Sequence, residues 1–207
     1  MQTNALVKMY LDEHAEIIKK IPIDNIADLL DEIRIVYDNG GRVFCFGNGG
    51  GASIADHFAS DLSIHPFVSE DKHKPMLGRR LEVICLNISM SIITRIANDI
   101  SYNDIFAEQL KSYDIDTSDI VIAFSTSGNS PNILKAMEYA NKMHAITALI
   151  GGSNGGKCKA LADVKILIPG TSRFPGQVGT NDNCFHIEDF QTSVAHIITG
   201  LLKGGIK

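Results

Sequence analysis

The sequence predicts an α/β fold: a five-stranded parallel sheet flanked by helices on both faces, preceded by N-terminal helices. Three observations predict it. Five short runs rich in Val and Ile alternate with helical patterns, and strands separated by helices pair in parallel through crossover connections. The runs are apolar with little alternation, as strands buried on both faces must be. Two of them end in Ser/Gly-rich loops that open directly into a helix, and ligands of such sheets sit outside the carboxyl ends of the strands.

In chain order, an amphipathic stretch predicts a helix over about Asn4–Lys19, ended by Pro22. A second covers about Asp24–Asp38 and stops at Asn39-Gly40-Gly41, a C-terminal signal because glycine adopts the left-handed cap. The first strand is Arg42–Phe46, followed by a loop and a helix from about Ser53 to Ser63. Residues His65 to Arg80, with two prolines and mixed charge, read as an irregular excursion. The strand Leu81–Leu86, helical segments near Met90–Ala97 and Asp104–Lys111, and the strand Asp119–Phe124 come next. The helix Asn132–Met143 leads to the strand Ala145–Ile150, a helical turn at Lys157–Ala162 and the strand Val164–Ile168. A second irregular stretch, Pro169–Phe185, precedes a final helix from about Ile187 to Leu202.

At 207 residues, 44% hydrophobic and 21% charged, the chain reads as one domain over its full length, 1–207. A net charge of −5 without a basic run argues against nucleic-acid or membrane-surface binding. An anionic ligand would then rely on local donors, with Arg79, Arg80, Lys157 and Arg173 as candidate cations. Four cysteines lacking a C-x-x-C pair read as reduced thiols. No signal peptide and no membrane-spanning apolar run is visible, so the cytoplasm is expected.

The loops carry most of the chemistry. The first is Gly47-Asn48-Gly49-Gly50-Gly51-Ala52-Ser53, the second Ser125-Thr126-Ser127-Gly128-Asn129-Ser130-Pro131. A Ser/Asn/Gly cluster before a helix is commonly only a turn with an N-cap. The second loop, however, offers four hydroxyls where one cap needs one, with Pro131 suited to the first helical turn. Orphan N–H groups, the helix dipole and surplus hydroxyls together suit a phosphate. Two glycine-rich matches to nucleotide motifs are rejected. Gly47–Ala52 fits G-x-G-x-x-A, but the next strand ends at Leu86-Asn87 without the ribose-binding acid. Gly151-Gly152-Ser153-Asn154-Gly155-Gly156-Lys157-Cys158 fits a P-loop except that Cys stands where magnesium needs Ser or Thr. No nucleotide cofactor is expected.

Among ionisable groups, His57 and Asp61 are four apart on the helix after the first loop and so share a face. The last helix carries Glu188 and Asp189 in its first turn and His196 in the apolar setting Val194-Ala195-His196-Ile197-Ile198. Each alone has an ordinary explanation: a surface ion pair, acids complementing a helix dipole, or a core histidine.

Taken as a set, Gly47-Asn48-Gly49-Gly50, His57-Phe58-Ala59 with an acid at 61, Ala97-Asn98-Asp99, Tyr102-Asn103-Asp104-Ile105-Phe106, Ser125–Ser130 and the late His196 are specific. With them the chain resembles sugar isomerase (SIS) domain proteins, in particular the phosphoheptose isomerases, over nearly its whole length. The resemblance implies a flavodoxin-like three-layer sandwich whose N-terminal helices, residues 1–40, belong to the core of a homotetramer. It implies an aldose–ketose isomerase that interconverts sedoheptulose 7-phosphate and a manno-heptose 7-phosphate through an enediol, an early step of bacterial heptose biosynthesis. Asn48, Gly49, Gly50, Asn98, Asp99, Ser125, Thr126, Ser127 and Ser130 would then bind substrate. Asp61 would be the proton-transfer base and His196 its acid–base partner. Some members bind zinc, which here would fall to His57, Asp61, Glu188 and His196, one ion per subunit. The alternative within the same family is a non-catalytic module that binds a sugar phosphate or a protein partner.

Four departures from the family pattern bear on the sugar. Asp61 stands where Glu is usual, Glu188 where Gln is usual, and Gly51 replaces a serine. The stretch Pro169–Phe185, with Arg173, Gln177 and Asn181, is longer than in the typical enzyme and precedes the last helix, where it would shape the sugar pocket.

Overall fold

The structure, a computed structural model, describes residues 2–71, 73–74, 78–170, 172–177 and 184–205. It has five parallel strands in the order β2-β1-β3-β4-β5. They are β1 (Arg42–Gly47), β2 (Glu82–Cys85), β3 (Ile120–Ser125), β4 (Ile146–Gly152) and β5 (Val164–Ile168). Seven helices among the described residues surround them: α1 (Thr3–Ile18), α2 (Ile23–Asn39), α3 (Gly50–Ile64), α4 (Met90–Asp99), α5 (Ala107–Ser112), α6 (Pro131–Lys142) and α7 (Cys184–Gly205). Among the described residues no helix is long and apolar enough to cross a membrane.

The expected elements are all present, with ends shifted by a few residues. Gly40 closes α2 in the left-handed conformation at φ 80°, as the Asn-Gly-Gly signal required. The start of α3 moves from Ser53 back to Gly50, because Gly49, at φ 54°, makes the turn out of β1. Short 3₁₀ turns occupy 65–67, 102–104 and 157–160.

Alternation along the strands divides two cores. Val43 and Cys45 of β1 face the layer of α2, α3 and α7, with Leu29, Phe58 and Ile198. Phe44 and Phe46 face the layer of α5 and α6, with Phe106 and Met137. The strand order reverses between β1 and β3, so the switch point outside which such sheets form their ligand crevice falls at the carboxyl ends of those two strands. Both Ser/Gly-rich loops emerge there, since Gly47 is paired with Phe124 immediately before Ser125. The four cysteines are free thiols.

Candidate functional site

The second loop is built to present its hydroxyls. The Ser125 hydroxyl oxygen accepts the Gly128 N–H at 3.1 Å, and that of Ser127 accepts the Asn129 N–H at 3.2 Å. Each fixed hydroxyl keeps its own O–H to donate to an anion. Ser130 is the N-cap residue of α6 without making a side-chain cap, and Pro131 opens the helix as expected. The loop therefore offers oriented donors at a positive helix end.

A glycine platform holds the loop from behind. Gly128 is left-handed, at φ 62°, and a Cβ on it would stand 2.0 Å from the Gly155 carbonyl oxygen. The Cys158 N–H donates to the Gly128 carbonyl at 2.9 Å, and the Lys157 N–H to the Asn129 side-chain oxygen at 3.1 Å. The Gly155 and Gly156 N–H groups are likewise taken, by the Gly152 carbonyl and the Asn154 side chain. Those N–H groups are the ones a P-loop would aim at phosphates, so the glycine-rich 151–158 segment is a brace. The other rejected motif has a similar explanation. Asn87 accepts the Gly47 N–H and donates to the Gly47 carbonyl, each at 3.0 Å. The position where a ribose-binding acid would stand thus clamps the end of β1. Gly51 is needed for close packing, since a Cβ there would lie 2.7 Å from the Phe124 carbonyl oxygen.

Across the crevice, Asn48 forms a reciprocal amide pair with Asn132: 2.9 Å from its Nδ2 and 2.8 Å to its Oδ1. The Tyr102 hydroxyl donates to Asn48 Oδ1 at 3.4 Å. Asn132 is buried and Tyr102 exposed. Sequence reasoning missed Asn132; its place in the first turn of α6 was the available signal, but a pairing with a residue 84 positions away has none. Gly49 faces open space, consistent with a ligand approaching its backbone. Asn98 and Asp99 lie at the exposed end of α4, where the Asn98 amide donates to Asp99 at 2.8 Å and Asp99 pairs with Arg95. Their connection to the crevice runs through the following segment, which holds Tyr102 and is tied to α6 by the Lys135–Asp104 bridge of 2.8 Å.

At the other end of α3, His57, Asp61 and His196 come together as a cluster able to hold a metal ion. Nε2 of His57 lies 2.9 Å from Nε2 of His196, and Asp61 Oδ2 lies 3.3 Å and 3.8 Å from the same two atoms. Zinc bonded at about 2.0–2.1 Å in a tetrahedron separates its ligand atoms by about 3.3 Å, so the three donors fit such an ion. All three side chains are open to solvent, at 50%, 36% and 54% exposure.

Glu188 stands apart from this cluster. It precedes His196 by eight residues, a rise of about 12 Å along α7. Its carboxylate lies instead against Gly50 in the first turn of α3, where a Cβ would fall 2.3 Å from it. Burial, with the charge of Asp189 second, pushes the Glu188 carboxyl above the usual range. An acid raised on folding adds stability below its unfolded pKa and loses it as pH rises through the folded value. Glu188→Gln should therefore melt above the parent at neutral pH in metal-free buffer, the two curves converging below about pH 4. A pH-independent difference in melting temperature would refute the buried-charge account.

The 172–177 part of the long stretch docks on α1. The Ser172 hydroxyl donates to Glu13 at 2.6 Å, the Arg173 N–H donates to Glu13 at 2.9 Å, and Phe174 packs edge-on to Tyr10. Asn181 lies outside the described residues. Of the candidate cations, Arg79 stacks over Tyr37 and Arg173 lies 3.6 Å from Glu13, so both are engaged away from the loops.

Comparison with known proteins agrees with this architecture. The SIS domain profile matches residues 9–152. A phosphoheptose isomerase of Helicobacter pylori is 34% identical over 166 residues, 80% of this chain and 76% of that protein. One from Chlorobaculum parvum is 31% identical over 196 residues, 94% of this chain and 85% of that protein. The solved structure of a phosphoheptose isomerase from Francisella tularensis superposes with a TM-score of 0.81 at 24% identity, covering 99% of this chain and all of that one. With a family profile spanning 144 of its 207 residues (9 to 152 inclusive) and relatives alike over most of their length, the chain belongs to the SIS domain family, in its phosphoheptose isomerase branch.

Proposed function

We propose that this chain is an aldose–ketose isomerase of the cytoplasm that interconverts sedoheptulose 7-phosphate and D-glycero-D-manno-heptose 7-phosphate. The observation that carries the reading is Asp61 held beside two imidazoles, in a chain that also keeps an oriented Ser/Thr loop at a helix N-terminus. The loop grips the phosphate, while Asp61 removes the proton from the carbon next to the carbonyl. His196 protonates the carbonyl oxygen to form the enediol, then accepts the proton of the neighbouring hydroxyl. Asp61 returns its proton to the adjacent carbon, and every atom is accounted for. His57, Asp61 and His196 suit one zinc ion per chain, which when bound would polarise the sugar oxygens. Asp61 cannot be a ligand and a free base at once, so loading and base function compete. Purified protein incubated with sedoheptulose 7-phosphate in D₂O should incorporate deuterium next to the carbonyl. No exchange with zinc supplied, while the sugar phosphate still binds, would make the chain a binding module.

Ser127→Ala should weaken sugar-phosphate binding by about 1–2 kcal/mol, the worth of a charge-assisted hydrogen bond. Calorimetry with the ketose phosphate measures this, and unchanged affinity would remove Ser127 from the cradle.

We infer further that the site is completed between copies of a homotetramer. Gly51 packs on the residue preceding Ser125, so the phosphate loop lies at the start of α3. Asp61 lies eleven residues further along, a rise of about 16 Å. An extended heptose phosphate reaches only about 9 Å from C2 to phosphorus, by ordinary bond lengths. One chain therefore supplies the loop and Glu188, while a second supplies Asp61 and its histidines. The surface for assembly is an apolar groove between α2 and α7 that includes Ile23, Leu30, Ile197 and Leu201, with Ile23 77% and Leu201 53% exposed. Reassembling equal amounts of Asp61→Asn and Ser125→Ala/Ser127→Ala chains should restore about a quarter of parental activity, since random assembly leaves one site in four intact. A monomer in light scattering, or no recovery on mixing, would count against shared sites.

A further inference from the structure

A second histidine–carboxylate cluster lies where α1 meets the first turn of α7. Tyr10, Glu13 and His14 share one face of α1, and His186 and Asp189 one face of α7. The rings lock together: His186 stacks on Tyr10 with centroids 4.0 Å apart, and His14 stacks on Phe190 at 4.1 Å. His186 is fully buried, and its Nε2 lies 3.3 Å from Glu13 Oε2. The tautomer that donates Nε2–H to Glu13 leaves the lone pair on Nδ1. That Nδ1 is buried and has no hydrogen-bond partner among the described residues. Nδ1 of His14 is also buried and without a partner among the described residues, 3.7 Å from Asp189 Oδ2, too far for a hydrogen bond. Asp189 Oδ2 in turn accepts the Tyr10 hydroxyl at 2.5 Å.

Buried polar atoms are almost always satisfied, and an unpaired one calls for a water, an ion or a role. Here there are two, both on metal-ligand side chains. One ligand atom from each of His14, His186 and Asp189 lies within 4.8 Å of the others. Glu13 behind His186 and Tyr10 on Asp189 are the outer partners that orient metal ligands and set the imidazole tautomer. We propose that His14, His186 and Asp189 form a second cation site, distinct from the His57 cluster, that takes a zinc-type divalent ion and ties α1 to α7. Two imidazoles with one carboxylate select such an ion over magnesium or calcium, which prefer all-oxygen shells. Asp189 is partly exposed, so the site is open to solvent on that side. Occupancy would also hold the neighbouring Glu188 in place against Gly50.

The test removes the first cluster to see the second. A His57→Ala/His196→Ala chain, equilibrated with micromolar zinc and dialysed, should retain one zinc per chain by elemental analysis. With cobalt in place of zinc it should show the visible absorption of tetrahedral nitrogen–oxygen ligation. Adding His14→Gln, whose side chain is 32% exposed and whose loss leaves the buried His186 in place, should abolish both signals while circular dichroism stays native. Tyr10→Phe should weaken zinc binding by about tenfold, as loss of an outer partner does. A folded His57→Ala/His196→Ala chain that takes up neither metal would overturn the proposal and assign the orphan nitrogens to buried water. Zinc retained after His14→Gln would also overturn it.

Discussion

Asp61→Asn is expected to lower turnover by about 10²–10⁴-fold and leave sugar-phosphate binding intact. The amide keeps the volume and planar shape of the carboxylate, and the side chain is 36% exposed, so the fold does not depend on it. What it loses is basicity at an atom 3.3 Å from His57 and 3.8 Å from His196. In the proposed mechanism proton abstraction and return both pass through that atom, so deuterium exchange and net isomerisation should fall together, with KM little changed. Asp61→Glu should remain active, because the longer side chain restores the reach usual in the family. Exchange at the parental rate in Asp61→Asn would transfer the base role to another residue.

Gly128→Ala carries a large structural penalty. Alanine at φ 62° is strained by about 1 kcal/mol. Its methyl would also stand 2.0 Å from the Gly155 carbonyl oxygen and 2.5 Å from the Gly155 carbonyl carbon. Neither backbone can retreat easily, because the Cys158 N–H is bonded to Gly128 at 2.9 Å and a Cβ on Gly156 would already lie 2.3 Å from the Ser127 carbonyl. Relief must come from moving the Ser125–Pro131 loop off its platform. We expect a destabilisation of about 3 kcal/mol by denaturant unfolding and no detectable sugar-phosphate binding. Gly176→Ala, also at positive φ but with open space around it, should show only the small conformational strain. Equal behaviour of the two variants would mean that the contact with Gly155 does not matter.

Much of this molecule was legible from residue patterns. The strands appeared because Val, Ile and Phe cluster in runs such as Ile120–Ser125, whose residues are all buried. The α2 terminus was readable because Gly40 needs a left-handed backbone, a property of one residue. The His57–Asp61 contact followed from helical spacing of four, and the structure places those atoms 3.3 Å apart. The Ser125–Pro131 loop stood out because its hydroxyls exceed what one cap needs. These are local properties, encoded within a turn or a strand.

Only the tertiary structure decided which local pieces meet. The Asn48–Asn132 pair spans 84 positions and depends on β1 lying beside β3. The family resemblance groups Glu188 with His196 as co-ligands, while the rise along α7 sets their backbones about 12 Å apart and the Glu188 carboxylate lies against Gly50. His14 and His186 are 172 positions apart (186 minus 14) and show no pattern until α1 packs on α7. The sequence by itself determined the elements, their caps and the chemistry each loop or helix face carries, because those depend on neighbours within a few residues. Helix rise, strand order and packing, which are properties of the assembled sheet and its layers, decided how those chemistries are distributed in space.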